Sequence, residues 1–98
     1  MKVNRKSPKI WAYPDFKNEK LVLEVELPDV ERRNIRFKIH RNRFYIYAKT
    51  GNTHYIGSYE ENRAVDSNKA KAVFSEDTLK VTVPYWGLSE PPMDVKIE

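Results

Sequence analysis

The sequence predicts an all-β fold, an antiparallel sandwich of about seven strands, on three observations. Apolar residues recur at every second position in segment after segment, the spacing that buries one side of a strand and wets the other. No long segment carries the 3.6-residue period of a helix. Turn-forming residues separate the alternating segments at close intervals, the pattern of short strands joined by hairpins.

Each element follows in order. Residues 1–9, "MKVNRKSPK", read as a short basic arm, and the sandwich is expected over 10–86. "IWAY", from Ile10 to Tyr13, reads as an edge strand. In "KLVLEVELP" the residues Leu21, Leu23, Val25 and Leu27 share one face and Val22, Glu24 and Glu26 the other. Pro28 removes a backbone donor and stops that strand. "PDVERRN" is a polar connection with room for one helical turn. "IRFKIH" turns Ile35, Phe37 and Ile39 inward and Arg36, Lys38 and His40 outward. "RNR" is a tight turn centred on Asn42, a residue that tolerates left-handed backbone. "FYIYAK" buries Phe44, Ile46 and Ala48 and leaves Tyr45 and Tyr47 on the other face. "TGN" turns again, and "HYIGSYE" follows with Tyr55 and Tyr59 in phase. "NRAVDSNK" is a polar loop. "AKAVF" and "LKVTV" form a last hairpin around "SED". Beyond Pro84 the alternation ends. Residues 87–98 read as a C-terminal extension, in which the pair Pro91-Pro92 keeps the chain extended and Val95-Lys96-Ile97 is a short alternating triplet.

Composition bounds the function. The 98 residues make one domain. Cysteine is absent, which excludes disulfide frameworks and thiolate metal sites. A hydrophobic share of 40% beside a charged share of 33% fits a globular domain with a highly charged surface. No apolar run approaches the length that spans a bilayer. The basic N-terminus lacks the apolar stretch of a secretory signal, so the cytoplasm is the expected location. The net charge of +4 leans toward acidic partners, but 18 basic residues stand against 14 acidic ones.

Three stretches carry a resemblance to a known family. "LVLEVELPDVERRNI" resembles the α-crystallin domain of small heat-shock proteins, where a strand ends at a Leu-Pro-Gly-Val turn and an aliphatic opens the next strand. Leu27, Pro28, Asp29 and Val30, then Ile35, take those places. "AVFSEDTLKVTVP" is similar to the family's later motif, with Ala72, then Leu79 seven residues on, then Val81, Val83 and Pro84; "AVDSNKAKA" resembles the run before it. Val95-Lys96-Ile97 looks like the family's C-terminal Ile-x-Ile/Val motif. The resemblance covers most of the chain from Leu21 to Ile97. It implies an immunoglobulin-like sandwich of the α-crystallin type, with no cofactor and no enzymatic activity. It also implies ATP-independent chaperone binding of unfolded or partly unfolded proteins in the stress response, with self-association into an oligomer.

Four departures from the family pattern stand out. Asp77 takes the place of a glycine before the last strand. Gly57 replaces an arginine in "YIGSYEEN", and Glu61-Asn62 a Leu-Pro pair. "TGNT" is far too short to carry the extra strand that bacterial and archaeal members exchange to form dimers. The short loop resembles instead the CS-domain co-chaperones, which share the sandwich and contact larger ATP-driven chaperones; an adaptor of that kind is the alternative function.

The candidate sites divide accordingly. Val95 and Ile97 are the C-terminal docking motif that the resemblance implies. Their groove is expected between the strands bearing Ile35, Phe37, Ile39 and Leu79, Val81, Val83. Against this stands a plain alternative, in which the triplet is one more strand of its own sandwich. Arg32, Arg33, Arg36, Lys38, His40, Arg41 and Arg43 put positive charge along "RRNIRFKIHRNRFYIY", with Tyr45 and Tyr47 beside it to stack bases. A solvated, edge-protecting face is the stronger reading of that stretch, and nucleic acid the weaker. His40 and His54 lack the further ligands a metal needs. No Gly-rich phosphate loop or nucleophile motif points to catalysis. Trp11, Tyr13, Trp86 and Met93 either cap the core or form an apolar patch.

Overall fold

The structure, a computed structural model, describes residues 2–86 and 95–98. Among these residues eight strands form two four-stranded sheets. They are β1 (Asn4–Lys6), β2 (Lys9–Asp15), β3 (Lys20–Glu26), β4 (Ile35–His40), β5 (Arg43–Thr50), β6 (Thr53–Glu60), β7 (Lys71–Ser75) and β8 (Thr78–Pro84). Sheet A has the order β1-β6-β5-β4 and sheet B the order β2-β3-β8-β7. All pairings are antiparallel except β1 with β6. The expected helical turn after Pro28 is a single 3-10 turn, Arg32–Asn34, and a second one spans Ser67–Lys69.

The period-two reading places the core. Leu21, Leu23, Val25 and Leu27 of sheet B face Phe44, Ile46 and Ala48 of sheet A, and all seven are buried. Phe37 and Tyr59 flank Phe44, each with ring centroids 6.1 Å away. Val22 points to the outer face of β3 yet is also buried, because Tyr13 and Thr82 stand beside it on the neighbouring strands. Where β8 ends, the buried Tyr85 donates to the Glu61 carboxylate at 3.0 Å, and the Arg63 guanidinium lies 4.2 Å over its ring. Burial, then that hydrogen bond, pushes the phenol up to about 12, so Tyr85 is a neutral donor at physiological pH. This cluster fastens the connection between β6 and β7 to the end of β8.

Three local expectations are corrected. The basic arm is not free: Asn4–Lys6 is a strand paired in parallel with Thr53–Tyr55. From there the chain crosses to sheet B through Ser7 and the buried Pro8. The expected sandwich boundary at residue 10 therefore moves to the start of β1. In the β4–β5 turn the left-handed residue is Arg41, at φ 57°, and not Asn42. Asn42 instead fastens the turn to Glu61, whose backbone N–H donates to the Asn42 carbonyl at 2.9 Å while the Asn42 amide donates to the Glu61 carbonyl. The extension over 87–98 is described only at 95–98, so Pro91-Pro92 and Met93 lie outside the described residues.

Both aspartates that replace family glycines sit in left-handed backbone. Asp29 has φ 62° in the turn Leu27–Val30, closed by the Val30 N–H to the Leu27 carbonyl at 3.4 Å. Proline second and a positive φ third is the type II arrangement, which favours glycine at that third place. Asp77, also at φ 62°, follows Glu76 at φ 51° between β7 and β8. A non-glycine residue there costs about 1–2 kcal/mol, partly offset by its smaller loss of chain freedom on folding. Asp77→Gly should therefore stabilise the domain by about 0.5–1 kcal/mol, read as a rise in Tm of roughly 2–8 °C. An unchanged or lower midpoint on thermal melting refutes this.

Candidate functional site: the groove between the two sheet edges

β4 is the outer strand of sheet A and β7 the outer strand of sheet B. On this side the sandwich gapes, because no strand among the described residues bridges the two edges. Ile35, Phe37 and Ile39 face inward from β4 but are only half-buried, although each packs against the core. Across from them, Ala72 pairs with Val81 and Phe74 with Leu79, so both point inward from β7. Ala72 is nevertheless exposed: its methyl is too small to close the gap, and the groove stays open above it.

Two depressions make up this groove. The first, about 370 Å³, is lined by Ile35, Phe37, Phe74 and Leu79, with Arg32 and Val73 at its rim. The second, about 400 Å³, is lined by Phe37, Ile39, Ala70 and Val81, with Ser67 and Asn68 at one end. Phe37 and Ala72 belong to both, so the depressions run into one another along β4. The 3-10 turn that closes the second is held by the buried Asp66, whose side chain accepts from the Asn68 N–H at 3.2 Å. Arg32, in the other 3-10 turn, supplies the charge at the first.

Most of the residues expected to line a groove come together here. Ile35, Phe37 and Ile39 form one wall, and Leu79 and Val81 the floor. Val83 does not line the groove: the β7 wall stops at Lys71, opposite Thr82, and Val83 lies one residue beyond it, fully buried. The second wall is β7, with Ala72, Val73 and Phe74, of which the sequence singled out only Ala72, and as a turn residue. The missed signal was topological: β7 closes a hairpin at the end of the sheet and has no neighbour beyond it among the described residues. Leu27 and Pro84 mark strand ends, where the Leu27 N–H donates to the Asp77 carbonyl at 2.7 Å and the Pro84 carbonyl accepts from Asp66 at 2.9 Å. Val95 and Ile97 are 84% and 93% exposed, in no strand; in this chain they fill no groove and join no sheet.

The other candidates separate. His40 and His54 lie opposite Arg43 and Lys49 of β5. That is roughly 20 Å apart at about 3.3 Å per residue, too far to share one metal. Trp11, Tyr13 and Trp86 are exposed rather than capping the core. The basic residues split, with Arg32 and Arg33 in the 3-10 turn, Arg41 in the hairpin, and Arg36, Lys38, His40 and Arg43 on the outer face of sheet A. The "TGNT" connection is a hairpin turn of two residues, Gly51 and Asn52, with Gly51 at φ 53°. It contributes no strand. No helix among the described residues is long and apolar enough to cross a membrane.

No protein-family model and no curated protein matches the sequence. Comparison with solved structures does find relatives of the fold. Heat shock protein 16.0 from Schizosaccharomyces pombe superposes with a TM-score of 0.73 at 19% identity, covering 95% of this chain and 99% of that one. A small heat-shock protein from Xylella fastidiosa gives 0.74 at 12% identity, covering 95% and 97%. HSP18.5 from E. histolytica gives 0.75 at 11%, covering 94% and 99%. The chain has the α-crystallin-type sandwich of the small heat-shock proteins.

Proposed function

We propose that this α-crystallin-type sandwich is an ATP-independent chaperone, which holds partly unfolded chains in apolar grooves and assembles through its own C-terminal motif. One observation carries the proposal: the same chain has an open apolar groove between β4 and β7 and an exposed Val-x-Ile pair beside no core of its own. The spacings agree. Residues two apart in an extended chain point the same way about 6.6–6.8 Å apart. The two depressions are divided by Phe37 and flanked by Ile35 and Ile39, so they repeat at the same interval along β4. The free edge of β4 would add backbone hydrogen bonds to such a segment, as strand addition does elsewhere. An unfolded client offers the same alternation of apolar side chains and would compete for the same place.

Light scattering of a heat-aggregating enzyme tests the proposal. The protein should suppress aggregation at equimolar ratio, without ATP. Phe37→Asp, which places a charge between the two depressions, should abolish most of that effect while the melting curve stays cooperative. Inactivity on several clients would favour the adaptor reading instead. The observation behind that second reading is the two-residue β5–β6 turn, which leaves no strand to exchange between subunits.

A further inference from the structure

We propose that the outer face of sheet A is a binding surface for single-stranded nucleic acid, separate from the β4–β7 groove. The register across sheet A aligns Arg36 with Tyr47 and Ile56, and in the next outward-facing row Lys38 with Tyr45 and Ser58. At one end Lys49 stands beside His54, which pairs with Arg5 of β1. At the other, Arg43 bonds Glu60 at 2.9 Å. Glu60 is the one carboxylate among these rows, and it is already neutralised. Among the described residues no ion pair engages Arg5, Arg36, Lys38 or Lys49. Aromatic and aliphatic surface lies between these cations: Tyr45 is 41% and Ile56 48% exposed, in a shallow depression framed by Arg36, Lys38 and Tyr47.

Edge protection does not account for this face. Charges shield a sheet where its strand ends the sheet, and β4 does so. Tyr45, Tyr47 and Ile56, however, lie on β5 and β6, the inner strands. Sheet B supplies the contrast. On its outer face Glu26 stands beside Lys9, and Glu24 between Trp11 and Lys80, so the charge there is mixed. Cations flanking the exposed ring of Tyr45, with the half-buried Tyr47 held edge-on to His54 beside it, match a polyanion with planar, unstacked bases. The phosphates meet Arg and Lys, and a base stacks on a tyrosine without sequence readout. A duplex hides the faces of its bases in the stack, so a tyrosine that works by stacking selects a single strand. The β4–β7 groove uses the opposite side of β4, so the two surfaces can be filled together.

Fluorescence anisotropy of the full chain with labelled twelve-nucleotide oligo(dT) and oligo(U) tests the assignment. Neutralising about four phosphates predicts a salt slope near −3, so affinity should fall roughly 50-fold between 50 and 200 mM salt. Arg36→Glu with Lys38→Glu should weaken binding at least about tenfold. Lys71→Glu with Lys80→Glu, on sheet B, should change it less than about twofold. Tyr45→Ala should cost about fivefold or more while Tyr45→Phe retains binding, which a purely electrostatic contact would not show. Absence of binding at 50 mM salt, or equal losses from both charge reversals, overturns the proposal. So does a poly-Glu peptide that binds as tightly as the oligonucleotide, which would assign the face to acidic peptides.

Discussion

Replacing Val95 and Ile97 together by serine should lower the mass of the protein in solution to that of a single chain and leave its melting temperature unchanged. The first half rests on the proposed docking in the β4–β7 groove of another copy. Burying the two side chains yields about 1.5–3 kcal/mol each. Association costs roughly 4–15 kcal/mol in lost freedom. One tail in one groove is therefore weak, and a stable assembly needs reciprocal tails acting together. Such an assembly should dissociate on dilution, and removing both apolar side chains should eliminate it. The second half rests on exposure: at 84% and 93% exposed, Val95 and Ile97 add nothing to the core they trail from. Light scattering coupled to size exclusion and a thermal melt decide the matter. An unchanged mass with a lower midpoint would show that the tail belongs to its own sandwich.

Gly57→Arg, which installs the residue the family pattern carries, should destabilise this protein. Gly57 faces inward, opposite Ile46. A Cβ there would lie 3.0 Å from Cδ and Cγ of Pro8 and 3.3 Å from Cδ1 of Ile10. Pro8 is buried at the crossing from β1 to β2 and cannot move without lifting both strands. Forcing a side chain into a filled site costs about 1–3 kcal/mol for a few methylenes. An arginine, which must also displace the Pro8 crossing, belongs at or above the top of that range. At about 3 kcal/mol the midpoint should fall by roughly 12–24 °C, and the amides of β1 should lose their protection from hydrogen exchange. Gly57→Ala meets the same contacts with one carbon and should show a smaller loss. A midpoint within about 2 °C of the parent, with β1 still protected, would rule out this account of Gly57.

These cases show how far reading by residue type reaches. Phe44, Ile46 and Ala48, and Leu21 to Leu27, were legible because a strand with one dry side must alternate, and a one-residue slip would expose every apolar group. The turns at Asp29 and Asp77 were legible as turns, since proline and short polar residues have few other uses there. Glycine at position 57, where the family pattern has arginine, had no reading at all in one dimension. What leaves no room for a side chain there is Pro8, about fifty residues earlier, packed against the glycine.

The groove divides in the same way. Alternation alone determined that Ile35, Phe37 and Ile39 share a side, that Leu79, Val81 and Val83 share another, and that the chain is a β-sandwich. Which of them solvent can reach was decided by strand order. β4 and β7 end their sheets on the same side, so Phe37 and Ala72 border an opening, while Val83 lies beyond the last β7–β8 pair, Lys71 with Thr82, and so outside that opening. Strand order decided also that residues 4–6 are a strand and not a free arm, because Asn4, Arg5 and Lys6 have no apolar pattern and are held by backbone hydrogen bonds to β6. Periodicity records how a segment divides between dry and wet sides. It does not record which segment lies beside which, since pairing is made by backbone groups that every residue carries alike.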